Sequence, residues 1–287
     1  MLNLAINTPK FSHMGMALAL GATLFLSGPV GAADYLPEAP PVVFQAAGPN
    51  AASIQSTVDE FRAALGEPNN GNDPGPLAEG RREINWDGGG GVDATTPPVT
   101  PFDVFLDSRG ARFETDGEGL SQAPPSGGPQ DGLAGLFNNP TYGKIFSTFS
   151  PLRLFTPVGS NITKALFFVP GTEGKEAATV RGFGAVFTDV DQPDGSRTEE
   201  YKDREASTLI EYFDADDKLL FISFVPSSPG DGSLSFFGIV FDDARIAWVQ
   251  ITSGNVAPGP DDDEQHDIVV MDDFIYGEPQ PLVYDSK

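Results

Sequence analysis

Cysteine is absent from the 287 residues, histidine and tryptophan each occur twice, and 17 basic residues stand against 41 acidic ones, a net charge of −24. Without cysteine there is no disulfide-stapled mini-domain, no thiolate zinc site and no thiol enzyme. The shortage of Lys and Arg excludes a nucleic-acid binder, because phosphate contacts need basic clusters. Neither H-E-x-x-H nor G-x-S-x-G occurs, so zincin and serine-elbow chemistry lack their motifs. Gly182-Phe183-Gly184 begins a G-x-G, but no third glycine follows. These glycines read as room for close packing in a strand, not as a phosphate loop. Beyond the first thirty-odd residues only His266 is left for a Ser-His-Asp triad, embedded in DDDEQHDI. With 39% hydrophobic residues the chain can still build a core.

The N-terminus reads as an address. Lys10 and His13 precede an apolar run, Met14 to Leu26, and then SGPVGA, with Val30 and Ala32 at the small positions before a cleavage site. That is the three-part pattern of a secretory signal peptide over residues 1–32. The run is short for a membrane span, which needs ~20 apolar residues. The expected location is therefore extracellular or periplasmic, with no membrane span after cleavage. The C-terminal PLVYDSK is short and polar, and no anchor is expected there.

Residues 33–80 read as an N-terminal extension. Its 33–50 segment is rich in Pro and Ala and reads as extended chain. In AASIQSTVDEFRAAL (51–65) Ile54, Val58, Phe61 and Leu65 share one helical face, Asn50 or Ser53 can cap the start, and Gly66 and Pro68 stop it. From Arg81 to Pro279 short β-branched and aromatic runs recur between Gly, Pro, Asp and Asn clusters. The candidates are 83–86, 102–106, 111–115, 152–155, 164–169, 179–187, 208–213, 218–225, 233–241, 245–252 and 267–276. Such spacing predicts an all-β fold, a jelly-roll-like antiparallel β-sandwich. The runs from 208 to 252 read as a meander joined by turns at 214–217, 227–232 and 241–244. Residues 138–151 fit either a helical turn or a packed loop, and 280–287 are a tail.

Acids at strand ends are the candidate chemistry. Asp189 and Asp191 are two residues apart, so in extended chain they face the same way. Like charges so placed repel unless a cation or solvent intervenes, and calcium takes six to eight oxygens of this kind. Asp189 to Glu200 has acids at EF-hand positions, but Asp194 stands where that loop needs glycine, so the EF-hand is rejected. An ordinary acidic turn is the competing reading, since Pro-Asp-Gly follows. Asp272 and Asp273 interrupt an apolar strand, where a carboxylate needs a partner: an ion, backbone amides, or solvent for one of the two. Asp87 would lie near them if the first and last strands are neighbours. Asp189, Asp191, Asp272, Asp273 and Asp87 are thus the candidate calcium ligands. Asp261, Asp262, Asp263 and Glu264 read as a solvated loop. Asn161-Ile162-Thr163 is a formal glycosylation sequon, better read as a turn asparagine.

Several segments agree in order with one group of proteins. These are Ile84 to Gly88 (INWDG), Pro101 to Thr115, SPLRLFTPVGSNIT (150–163), GFGAVFTDVD (182–191) and VVMDDFIYGEP (269–279). Over Arg81 to Pro279 the chain resembles a group of uncharacterised secreted bacterial β-sandwich proteins, some with PEP-CTERM sorting tails. The resemblance implies export and a module similar to carbohydrate-binding or lectin-like domains. It carries no catalytic residue with it. Three functions stay open: a non-enzymatic glycan- or matrix-binding module stabilised by calcium, a polysaccharide hydrolase using a carboxylate pair, and a structural surface protein. For the hydrolase, only Trp86 and Trp248 are present to stack on sugars, and Trp248 falls in a run that reads as buried. The acidity also suits a saline habitat.

Overall fold

The structure is a computed structural model that describes residues 39–88, 91, 93–191, 208–263 and 265–282. The predicted leader lies outside the described residues. No helix among the described residues is long and apolar enough to cross a membrane.

Among the described residues, fourteen strands form two main antiparallel sheets and a small ribbon. The first sheet runs β1 (Val42–Gly48), β11 (Leu234–Val240), β8 (Gly182–Thr188), β13 (Val270–Gly277), β5 (Leu154–Val158) and β4 (Gly119–Ala123), with β2 (Arg81–Ile84) also paired to β13. The second runs β10 (Leu219–Phe224), β9 (Leu209–Phe213), β12 (Trp248–Thr252), β6 (Ile162–Phe167) and β3 (Ala111–Glu114). The ribbon pairs β14 (Gln280–Pro281) with β7 (Ala178–Thr179). Inward side chains of the two sheets make one core, including Phe183, Phe187, Phe237 and Ile239 from the first and Phe167, Ile210, Tyr212 and Val249 from the second. The fold is all-β and sandwich-like.

From Ala39 onward the extension is built into this unit. Helix α1 (Ala51–Leu65) starts at Asn50, whose side chain accepts the Ser53 N–H at 3.2 Å, and ends at Gly66 with φ 109°. Ile54, Val58, Phe61 and Leu65 are buried, as the spacing predicts. The segment before the helix is not merely extended chain: β1 pairs with β11 along its whole length. Phe61 packs edge-on against Phe44 of β1 and Phe236 of β11, with ring centroids 5.5 and 5.2 Å apart.

Glycines make this packing possible. Gly184 and Gly238 lie opposite each other on β8 and β11. A Cβ at either would come 2.9 or 2.8 Å from the Phe61 ring, and at Gly182 2.8 Å from Leu65 Cδ2. The helix approaches the sheet through the missing side chains. Gly184→Ala should therefore cost about 1–3 kcal/mol by overpacking. Urea unfolding followed by circular dichroism measures this, and a neutral result would show that the helix can lift without penalty.

Some expectations fail for identifiable reasons. FDVFL (102–106) is not a strand. Helix α2 (Leu106–Arg109) begins at its last residue, and Phe102, Phe105 and Leu106 are buried. Phe102 only bridges Phe113. The 208–252 meander holds for the β9–β10 hairpin alone. After β10 the chain crosses to the first sheet for β11 and returns to the second for β12. Turn composition marks where the chain reverses but not which sheet receives it. β4, GLSQA, is buried throughout though poor in β-formers. Residues 138–151 contain a helical turn, α4 (Tyr142–Ile145), preceded by α3 (Gly132–Leu136).

Candidate metal centre

The last residues of β8 lead into the only group of three or more metal-ligating side chains found among the described residues. Carboxylate oxygens of Asp189, Asp191 and Asp262 all lie within 4.8 Å of one another. The aspartates come from two segments: the chain leaving β8, and the long loop between β12 and β13. A third segment, between β10 and β11, ties them in place. Its Ser233 carbonyl accepts the Asp189 N–H at 3.1 Å, its Gly230 N–H donates to Asp191 Oδ1 at 2.8 Å, and its Ser228 N–H donates to the Val190 carbonyl at 2.8 Å. Asp262 Oδ1 accepts the Ile268 N–H at 2.9 Å, and Asp267 Oδ1 accepts the Asp191 N–H at 3.3 Å.

Asp189 is the unusual member. It is fully buried, its backbone is left-handed with φ 70°, and neither carboxylate oxygen accepts a hydrogen bond. Burial, then the charges of Asp191, Asp262, Asp267 and Asp231, push its pKa up to about 9. Asp262 is raised to about 6, mainly by burial, and Asp191 is raised, again mainly by burial. A buried carboxylate without hydrogen bonds costs several kcal/mol unless it is neutralised or paired. The spacing suits a single ion: at calcium–oxygen distances of about 2.3–2.6 Å, two ligands of one ion lie at most about 5 Å apart. The three aspartates could hold a metal ion, and their all-oxygen donor set suits a hard cation.

Sequence spacing brings Asp189 and Asp191 together for a different reason than expected. The backbone is not extended at Asp189, and Val190 between them is buried as well. Asp262, read as a solvated residue, completes the cluster. Nothing local marks it out from Asp261 and Asp263, and only the folding of its loop against β8 selects it.

The other candidate ligands meet elsewhere. β2 pairs with β13, and Asp87, Asp272 and Asp273 all bond to the 149–153 segment. The two acids sit where the β13 register shifts between Met271 and Phe274, and where β13 changes partner from β5 to β2. There the three carboxylates hold one segment. Asp272 Oδ2 accepts the Phe149 and Ser150 N–H groups at 2.6 and 3.3 Å, and Asp273 Oδ1 accepts the Ser150 hydroxyl at 2.6 Å. Asp87 Oδ1 accepts the Leu152 and Arg153 N–H groups at 2.5 and 3.0 Å. Asp273 also lies 3.6 Å from Arg62 of α1. Burial, with the adjacent Asp273 charge, pushes Asp272 well up, and burial raises Asp273. These three acids do not join the Asp189 cluster.

The tryptophans exchange expected roles. Trp86 is fully buried, stacked on Phe155 at 3.8 Å, and donates to the Asp272 carbonyl at 3.0 Å. Trp248 is half-exposed on the outer face of the second sheet, stacked on Phe213 at 3.9 Å and held by Asp217 Oδ1 at 2.9 Å. His266 meets Asp263 Oδ1 at 3.1 Å on an exposed turn, which is not a triad geometry. Asn161, in the bend between β5 and β6, donates to the Gly254 carbonyl at 3.2 Å.

No protein-family model, curated protein or solved structure matches this chain. Its own residues therefore define it at the level of class: an all-β sandwich with a clustered, partly buried aspartate site at one end of β8.

Proposed function

We propose that this chain is an exported, non-enzymatic β-sandwich module that binds a glycan or matrix component and is completed by calcium. The buried Asp189 carboxylate, facing Asp191 and Asp262 without a hydrogen bond, carries the reading. Among the described residues the ligands that converge there are all carboxylate oxygens, which favours calcium over zinc or copper. In the hydrolase alternative Asp272 and Asp273 would be the carboxylate pair, but Asp272 Oδ2 holds the Phe149–Ser150 backbone and Asp273 Oδ1 the Ser150 hydroxyl, while Asp272 Oδ1 is buried without a hydrogen-bond partner. Glycan chemistry is supported by the outer face of the second sheet. Trp248 stands there beside an amide–carboxylate pair, Gln250 to Glu211 at 2.9 Å. An aromatic ring next to such groups suits the apolar face and hydroxyls of a sugar.

Two measurements on the chain beginning at Ala33 test this. Isothermal calorimetry with calcium chloride should show one saturable site, lost in Asp189→Asn. Retention on a polysaccharide panel should be saturable and reduced in Trp248→Ala. Absence of calcium uptake removes the metal part. Absence of retention on every polysaccharide removes the glycan part and favours the structural role.

A further inference from the structure

Resting on the calcium reading above, we infer that the segment Asn139–Ser147, which supplies no ligand, is the frame that positions the cation site. It bonds to all three segments that build the cluster. The Ser147 N–H donates to Thr188 Oγ1 at 3.0 Å, one residue before Asp189. The Ile145 carbonyl accepts the Gly232 N–H at 2.7 Å, in the loop whose Gly230 N–H holds Asp191. Tyr142 grips the third segment: its hydroxyl donates to the Pro260 carbonyl at 2.8 Å and accepts the Gly259 N–H at 2.6 Å. Asn139 adds bonds from Nδ2 to the Pro260 carbonyl and to Asp261 Oδ1, each at 3.0 Å, immediately before Asp262. Its own amide is oriented by Thr141, whose N–H and hydroxyl donate to Asn139 Oδ1 at 3.0 and 2.6 Å.

The frame is itself packed into the core. Tyr142 is fully buried and Asn139 is nearly so, and Tyr142, Ile145 and Phe146 belong to one apolar cluster with Leu133, Leu154, Ile268 and Val270. Ile268 is also the residue whose N–H holds Asp262. Carboxylates of like charge drift apart unless the backbone holds them. A segment that fixes Thr188, Gly232 and Pro260 together keeps the three carboxylates converged before an ion arrives. Groups behind metal ligands commonly contribute in this way. Asn139 and Tyr142 are positioning residues on this account.

The test uses Tyr142→Phe, which keeps the ring in the core and removes the hydroxyl, and Asn139→Ser as a second variant at the same loop. Calcium affinity is measured by calorimetry, and melting is measured with EDTA and with saturating calcium. The expected result is a calcium Kd weakened by roughly ten- to a hundredfold in each variant, with a smaller calcium-induced rise in melting temperature. A merely structural role would lower both melting temperatures equally and leave the Kd unchanged, which would overturn the inference. If Tyr142→Phe does not fold, an unchanged Kd in Asn139→Ser overturns it in the same way. Failure of the unaltered chain to bind calcium would instead strike down the site reading, and the inference with it.

Discussion

In EDTA the protein should lose stability as pH rises from about 4 to about 9, and Asp189→Asn should remove much of that loss. The sign follows from proton binding. In the unfolded chain Asp189 releases its proton near the usual aspartate value of about 3.9. In the folded chain burial and neighbouring aspartates hold that proton until about pH 9. Between these values the folded state binds the extra proton, so raising the pH favours unfolding. Asp262, raised to about 6, adds to the same slope over its lower part. Asp272 and Asp273 are raised too, so some slope survives in the variant. Calcium requires ionised ligands and binds more tightly as pH rises, so it opposes the loss. At a hundred times its Kd it adds about 2.7 kcal/mol, roughly 5–10 °C in melting temperature for a domain of this size. Calorimetric melting at pH 5, 7 and 9, with EDTA and with calcium, reads all of this. A pH profile identical in the parent and Asp189→Asn would show that Asp189 is not the group concerned.

Breaking the buried ion pair at the other end of β13 should cost more than losing calcium. Arg82 is fully buried and forks onto Glu278, with Nε to Oε2 and Nη2 to Oε1 both at 2.7 Å. The pair also anchors the chain that joins α1 to β2. Arg82 Nη1 donates to the Gly71 and Ser108 carbonyls at 3.0 and 3.1 Å. Asn70 Nδ2 and the Leu77 N–H donate to Glu278 at 2.8 and 3.2 Å. Removing one partner strands a buried charge, at about 3–5 kcal/mol. Glu278→Ala should therefore melt roughly 6–20 °C below the parent, at 2–4 °C per kcal/mol. The calcium-induced rise should survive, because Glu278 follows the end of β13 opposite to the metal cluster. A loss under about 1 kcal/mol would mean that water reaches the pair and screens it.

These two predictions differ in how far the sequence foreshadows them. Asp189 and Asp191 stand out because two acids close a strong β run. Arg82 and Glu278 carry no local mark and are 196 residues apart. The same contrast separates the three members of the metal cluster, since Asp262 is one acid in a run of acids until its loop folds. Asp87, Asp272 and Asp273 show the reverse. Their sharing of one segment goes with the pairing of the first strand after the extension with the last long strand. What they do there depends on backbone N–H groups at 149–153 that no spacing rule locates.

By itself the sequence determined what short-range physics controls. Asn50, Gly66 and a four-residue apolar stripe define α1 because capping and burial act within a turn or two. Alternating β-branched and aromatic residues define most strands because side chains alternate across a pleated sheet. Only the tertiary structure decided which sheet each strand joins, why Trp86 is buried and Trp248 half-exposed, and which carboxylates keep free oxygens. The physical reason is that strand pairing and carboxylate satisfaction are long-range. A β run presents the same edge to any partner, and a carboxylate becomes a ligand or a backbone acceptor according to which N–H groups the fold brings to it.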